Sequence, residues 1–177
     1  MIRITGGENR SRLLETPNTT LTKPTMDKVR AGVFSALGDS IAKAKVLDLF
    51  AGSGSYGLEA LSRGASSVTF VDSMQEAISV IKTNCDKLNR QNVDIRKSDV
   101  LAFLSGNPGE FDIIFVDPPY KLDVYEKVVD LLISGGILSS NGIIILESER
   151  ELNINESLFS KVKLYKYGLA KVYILRK

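Results

Sequence analysis

Four consecutive residues, Asp117-Pro118-Pro119-Tyr120, close an unbroken apolar run, Ile113-Ile114-Phe115-Val116. The run is short, β-branched in part and apolar on both faces, the pattern of a buried parallel strand. Two prolines cannot extend a sheet ladder, so the strand stops there. Its C-terminal end then presents a carboxylate, a stiff turn with carbonyl acceptors and an aromatic ring. In open α/β sheets, ligands sit at that end of the strands. These groups suit a planar base bearing an exocyclic amine: two acceptors take the amine hydrogens and the ring stacks on the face. Asp-Pro pairs also start ordinary turns, and the tetrapeptide alone leaves both readings open.

A second constellation lies upstream, where Val46-Leu47-Asp48-Leu49-Phe50 runs into Ala51-Gly52-Ser53-Gly54-Ser55-Tyr56-Gly57. A buried strand followed by glycines and a helix lets backbone approach a ligand closely. Gly52, Gly54 and Gly57 satisfy G-x-G-x-x-G, and Asp72 follows Gly52 by twenty residues, where a carboxylate can accept two ribose hydroxyls. On these features alone NAD is a full rival as ligand. Asp48 tips the balance, because an acid there suits a cationic ligand and sits badly beside a pyrophosphate. S-adenosylmethionine (SAM) carries a sulfonium and an ammonium but no phosphate. Ser98-Asp99-Val100 ends the third strand, where Asp99 can accept from an adenine amine or simply cap the next helix. The expected cofactor contacts are Asp48, Phe50, Ala51, Gly52, Ser53, Gly54, Gly57, Asp72, Ser73, Asp99 and Val100.

The elements that must position these residues follow from periodicity. Residues 2 to 15 read as a hairpin with a polar, basic loop. A helix is expected from about Thr25, its N-cap, with Val29, Val33, Phe34 and Leu37 on one face and Gly38 at its end. From Lys45 strands and helices alternate, the sign of a parallel sheet. Strands are expected at Val46–Phe50, Ser67–Asp72, Val93–Lys97, Phe111–Asp117 and Gly142–Glu147. Helices are expected at Tyr56–Arg63, Met74–Asn89, Val100–Leu104 and Asp123–Ser134, with a weaker one at Glu156–Ser160. Lys161–Lys166 and Ala170–Leu175 then form a last hairpin, which sets the final strand antiparallel to its neighbours.

Composition excludes several classes. At 177 residues with 44% hydrophobic and 25% charged residues, the chain reads as one globular domain. No apolar run reaches the roughly 18 residues that cross a bilayer, and the N-terminus lacks a secretory core, so a cytoplasmic location without membrane contact is expected. The lone Cys85 cannot form an internal disulfide and reads as a small apolar residue in a helix. With no histidine, neither a zinc site nor a histidine triad is expected, and no metal is assigned. Charge is unevenly placed: residues 1–30 hold six basic and three acidic residues, and six basic residues but no acid follow Glu156. If the ends converge, they offer a basic surface to a polyanion.

With these residues in hand, the chain resembles the Rossmann-like SAM-dependent methyltransferases. VLDLFAGSGSYGLEALSRGA followed by DPPY is similar to the bacterial family that methylates guanine N2 in 16S ribosomal RNA. The opening RITGGENRSRLLETP, the segment KPTMDKVRAGVFSAL and the terminal YGLAKVYILRK resemble that family's ends, so the likeness spans essentially the whole chain. It implies an α/β, doubly wound, mostly parallel seven-stranded sheet whose first and fourth strands meet at the switch point. Residues 1–24 would form an N-terminal hairpin and basic loop, and 25–177 the catalytic core. It further implies action on 16S rRNA, naked or within a partly assembled 30S subunit; a monomer is expected. Asp117, Pro118, Pro119 and Tyr120 would be catalytic, and Arg10, Arg12, Lys23 and Arg30 would contact RNA phosphates. Lys23 departs from the family's usual arginine. Tyr56 departs from a small or aliphatic residue, and would either crowd the cofactor entrance or pack outward. Alternatives are an adenine-N6 methyltransferase of the same fold, an NAD-dependent oxidoreductase and a non-catalytic RNA-binding module.

Overall fold

The computed structural model describes residues 2–18, 27–119 and 121–177. Lys23, the proposed cap Thr25 and Tyr120 lie outside these residues. Strands β1 (Ile2–Arg3) and β2 (Leu13–Leu14) pair antiparallel, with Ile2 opposite Leu14, as the alternation at the N-terminus predicts. Helix α1 (Asp27–Leu37) buries Val29, Val33, Phe34 and Leu37 on one face, and Arg30 with them. It ends where Gly38 takes a left-handed φ of 53°, a conformation that costs glycine nothing.

The alternation from Lys45 onward produces β3 (Lys45–Leu49), α2 (Ser55–Ser62), β4 (Ser67–Asp72), α3 (Gln75–Lys87), β5 (Val93–Lys97), α4 (Val100–Ser105), β6 (Phe111–Val116), α5 (Tyr125–Ser134), β7 (Leu138–Ser148), β8 (Lys161–Tyr167) and β9 (Ala170–Arg176). The expected weak helix near Glu156 is a single 3-10 turn, Glu156–Leu158. Seven strands form one sheet in the order β5-β4-β3-β6-β7-β9-β8. Neighbours from β5 to β7 are parallel, whereas β9 runs antiparallel to both β7 and β8. The chain winds from β3 outward to β5, then returns to lay β6 on the other side of β3. That reversal makes the crevice between β3 and β6 the topological switch point.

Strand period sorts the apolar residues onto two faces. Val46, Val68, Phe70, Ile113, Phe115, Ile143 and Ile145 pack with α1, α2, α3 and the N-terminal Ile2, Ile4 and Leu14. Leu47, Leu49, Val71, Ile114, Val116, Ile144 and Leu146 pack with α4 and α5. The central strands are therefore apolar throughout, which is why their sequences do not alternate. Cys85 is a buried member of the first cluster, as expected. β7 is longer than its apolar run suggests. Leu138 pairs with Phe111, and the register then shifts so that Ile143 faces Ile113. Polar Ser139–Gly142 occupy that irregularity, which hides the strand's first residues from a periodicity reading.

Candidate active site

The site is built on the turn that follows β3. Phe50, Gly52 and Gly54 all have left-handed backbone, with φ of 57°, 55° and 76°. Gly52 and Gly54 adopt it freely, but for Phe50 it is strained, a cost of about 1–3 kcal/mol of the kind that clusters at ligand sites. The turn is held from two sides. Ala51 N–H donates to the Val71 carbonyl at 3.1 Å. Asp72, at the end of β4, accepts Gly52 N–H at 2.9 Å on one oxygen and Met74 N–H at 2.8 Å on the other. Each carboxylate oxygen keeps a further lone pair, so Asp72 can still accept hydroxyls while pinning the turn to the start of α3.

Asp48 has a different place from the open acceptor its position suggests. It is 3% exposed and accepts Gly57 N–H at 2.9 Å, beneath the first turn of α2. Burial pushes its carboxyl up to about 8, against the Gly57 hydrogen bond and with a further push from Asp72. A cation brought above it would draw it down again and favour the carboxylate. Gly57 serves packing: a Cβ there would lie 2.3 Å from the Phe70 ring, so only glycine lets α2 close onto β4. Asp99 caps α4, accepting Ala102 N–H at 2.9 Å, and stays exposed, so its carboxylate can take a second donor. Val100 beside it is buried, and Ser73 is exposed next to Asp72.

β6 ends level with β3, Val116 opposite Leu49, and this brings Asp117 to the rim beside the glycine turn. Asp117 is half-buried, Pro118 buried and Pro119 exposed. The Pro119 carbonyl accepts Leu122 N–H at 2.8 Å inside the turn.

Tyr56 neither crowds the entrance nor points outward; it is 4% exposed. Its ring stacks on Phe115 at 4.7 Å and 18°, and its hydroxyl donates to Glu147 Oε2 at 2.7 Å. Burial, followed by the charges of Glu147 and Asp117, raises the phenol well above its usual range, so the hydroxyl remains a donor. Glu147, at the end of β7, also receives the Tyr125 hydroxyl on its backbone carbonyl at 2.7 Å. It thereby ties together the helices that follow the two motifs, α2 and α5.

Arg30 is corrected outright. It is fully buried, and its guanidinium donates to Glu59 at 3.3 Å, to Asp27 at 2.8 Å and to the Arg3 carbonyl. A side chain with no exposed surface cannot meet a phosphate; it anchors the N-terminal strand to α1 and α2. Arg10 and Arg12 are exposed, and Arg12 also donates to the Lys87 carbonyl at the end of α3. The basic hairpin loop and the C-terminal basic residues lie on different parts of the fold, although α1 itself packs against the last hairpin, where Arg176 donates to the Ala36 carbonyl at 3.4 Å. The hairpin rests on α2 and α3, while Lys161, Lys163 and Lys166 lie on the edge strand β8, four strands from β3, and Lys171 on β9 beside it.

Three polar residues of this network escape a sequence reading. Glu59 and Asn84 are fully buried, and Glu147 is nearly so. For Asn84 a signal existed: it falls on the apolar stripe of α3 with Ala77, Ile78, Ile81 and Cys85. Among the described residues no cluster of acidic or sulfur side chains could hold a metal ion, and no helix is long and apolar enough to cross a membrane.

Residues 2–176 match the protein family described as Conserved hypothetical protein 95. The chain is 40% identical over 152 residues to the ribosomal RNA small subunit methyltransferase D of Escherichia coli K12, covering 85% of this chain and 76% of that one. The solved structure of the Escherichia coli protein yhhF superposes with a TM-score of 0.86 at 32% identity, over 99% of this chain and 97% of that one. The fold extends to a Thermus thermophilus 16S rRNA N2 methyltransferase solved with AdoMet and guanosine. There the TM-score is 0.73 at 24% identity, over 92% of this chain and 45% of that one.

Proposed function

This chain belongs to the family described as Conserved hypothetical protein 95, which the Escherichia coli small-subunit methyltransferase shares, and we propose that it transfers a methyl group from SAM to the N2 amine of a guanine in 16S rRNA. The observation that carries the reading is the switch point. It sets the glycine turn after β3 and the Asp117-Pro118 acceptors after β6 side by side, on adjacent strands that end level.

The residues present fit SAM. Gly52 and Gly54 supply the left-handed turn that brings backbone close, and Asp72 offers its remaining lone pairs to the ribose. Asp99 faces the adenine amine. Asp48 answers a cation from below, as a buried acid whose ionisation a cation favours. When bound, SAM supplies a methyl group already activated by its sulfonium. The chain's own task is the nucleophile, because the guanine N2 lone pair is delocalised into the ring. Asp117 and the Pro118 carbonyl accept the two amine hydrogens and favour a pyramidal nitrogen, whose lone pair is then localised and points toward the methyl. Tyr120 stacks on the base, contributing roughly 1–3 kcal/mol against the few kcal/mol needed to splay it out. The proton lost after attack passes to Asp117 or to water. The same reading includes one catalytic domain with its hairpin extension, working as a monomer on 16S rRNA, either naked or within a partly assembled small subunit.

The deciding experiment is methyl transfer from labelled SAM into extracted 16S rRNA, followed by nucleoside mass spectrometry. N2-methylguanosine is expected. Label in N6-methyladenosine would overturn the choice of base, and calorimetric binding of NADH in place of SAM would overturn the chemistry. Naked RNA and a partly assembled particle, assayed in parallel, separate the two forms of substrate.

Asp72→Ala is expected to weaken SAM binding by ten- to a hundredfold, the loss of about 1.5–3 kcal/mol of charge-assisted hydrogen bonding. Calorimetry checks it. Undiminished affinity in a folded variant would move the ribose away from Asp72. Arg10→Ala with Arg12→Ala should lower RNA affinity and flatten its salt dependence by up to about two units of slope. SAM binding measured without RNA should change little. Wild-type RNA affinity and salt slope together would show that these arginines are only solvated.

A further inference from the structure

Residues 12–18 run along α3 from its C-terminal end toward its start. Arg12 donates to the Lys87 carbonyl at 3.0 Å, Lys87 pairs with Glu15 at 2.6 Å, and Asn18 N–H donates to Glu76 at 2.7 Å. These contacts are exposed and individually weak. The buried contact between them is the side-chain amide of Asn84, which is 0% exposed. Its Oδ1 accepts Glu15 N–H at 2.8 Å. Its Nδ2 donates to the Glu15 carbonyl at 3.1 Å and, in the other direction, to the Ser53 carbonyl at 3.0 Å. Ser53 sits between Gly52 and Gly54, at the crest of the cofactor turn.

One amide therefore spans two structures that the sequence separates: the arm bearing Arg10 and Arg12, and the turn that would meet SAM. Both its hydrogens are used, and only one orientation of the amide places oxygen on the N–H and nitrogen on the two carbonyls. While the arm is docked, Glu15 fixes that orientation and aims the second hydrogen at Ser53. If the arm lifts, Asn84 loses two of its three partners, the amide can turn about its last torsion, and the turn loses a restraint. RNA that is bound better by the docked arm than by the lifted one favours docking, and so favours the ordered turn.

We propose that Asn84 is a positioning residue that couples the RNA-binding arm to the cofactor turn, so that each ligand binds more tightly when the other is present. The inference rests on the reading of the arm as an RNA contact. By linkage the effect is reciprocal.

The test is calorimetric titration of the full chain with S-adenosylhomocysteine, which binds without turnover, in the absence and presence of saturating 16S rRNA. Wild type should bind about fivefold or more tightly with RNA present, the lower end of usual coupling. Asn84→Asp keeps the acceptor for Glu15 N–H and removes the donors, and Asn84→Leu removes everything polar. In both, the ratio of the two affinities should fall to about one while each ligand still binds. A residue that merely stabilised the fold would lower the melting temperature and leave that ratio alone. A wild-type ratio of one, or a wild-type ratio retained in Asn84→Asp, overturns the coupling while leaving the methyltransferase reading intact. Failure of wild type to bind either ligand condemns that reading first, and the coupling with it. Should Asn84→Leu not fold, Asn84→Asp and the wild-type ratio decide.

Discussion

Asp117→Ala should lower the single-turnover rate of methyl transfer by roughly a hundredfold, the scale of one lost preorganised contact at a reacting group. Affinities for SAM and for RNA should change far less. Asp117 follows the last residue of β6 at the rim, beside the glycine turn, and its interaction with the amine strengthens only as the N2 lone pair becomes available. Loss of such a contact shows in the rate rather than in binding. Alanine is the informative replacement, because asparagine keeps an acceptor in the same place. Tyr120 supplies the contrast. Tyr120→Ala should weaken capture of the base by the roughly 1–3 kcal/mol of a stacking platform, and Tyr120→Phe should be nearly silent. The measurement is methyl transfer at saturating SAM, with separate titrations of the two ligands. Full activity in Asp117→Ala would remove this turn from the chemistry. Equal losses in Tyr120→Phe and Tyr120→Ala would assign the work to the hydroxyl instead of the ring.

The second large effect is on stability. Glu59, on α2, is fully buried and accepts four donors: Thr5 N–H and Thr5 hydroxyl at 2.8 Å each, Arg63 at 2.8 Å and Arg30 at 3.3 Å. Glu59→Leu deletes the carboxylate and leaves the buried Arg30 guanidinium with less compensation. Breaking one side of a buried ion pair costs about 3–5 kcal/mol. For a domain of this size that is a fall in melting temperature of roughly 6–20 °C. Glu59→Gln keeps one acceptor oxygen for Thr5, puts an amide donor in place of the other and removes the charge, and should fall between. The check is thermal unfolding of both variants followed by circular dichroism. A midpoint within a degree of wild type for Glu59→Leu would mean that the N-terminal strand does not depend on this network. Gly7 must be glycine for a separate reason: a Cβ there would lie 1.9 Å from the Ser62 carbonyl, where the hairpin loop closes onto α2.

Local pattern in the chain determined the strands, the helices and the two motifs, because these depend on near neighbours. Apolar runs ended by prolines or glycines mark where β3 and β6 stop, and that a strand end offers a carboxylate or a glycine turn is visible in consecutive residues. The misjudged residues are those whose meaning lies far along the chain. Arg30 looks like any basic residue of an N-terminal segment; its burial follows from Glu59, 29 positions away. Tyr56 could be placed neither inward nor outward until β7 delivered Glu147, 91 positions on. Asn84 acquires its role from Glu15, 69 positions back, and from Ser53, 31 back. A charge or an amide carries no periodic signature that says which partner it will meet. Its environment is set by strand order and helix packing, and those bring distant residues within hydrogen-bond range only once the sheet has closed around the switch point. For the same reason the sequence could name Asp48 as an acid of the cofactor end, but only the packed helix α2 decided that it would lie buried beneath Gly57, with its proton held up to about pH 8.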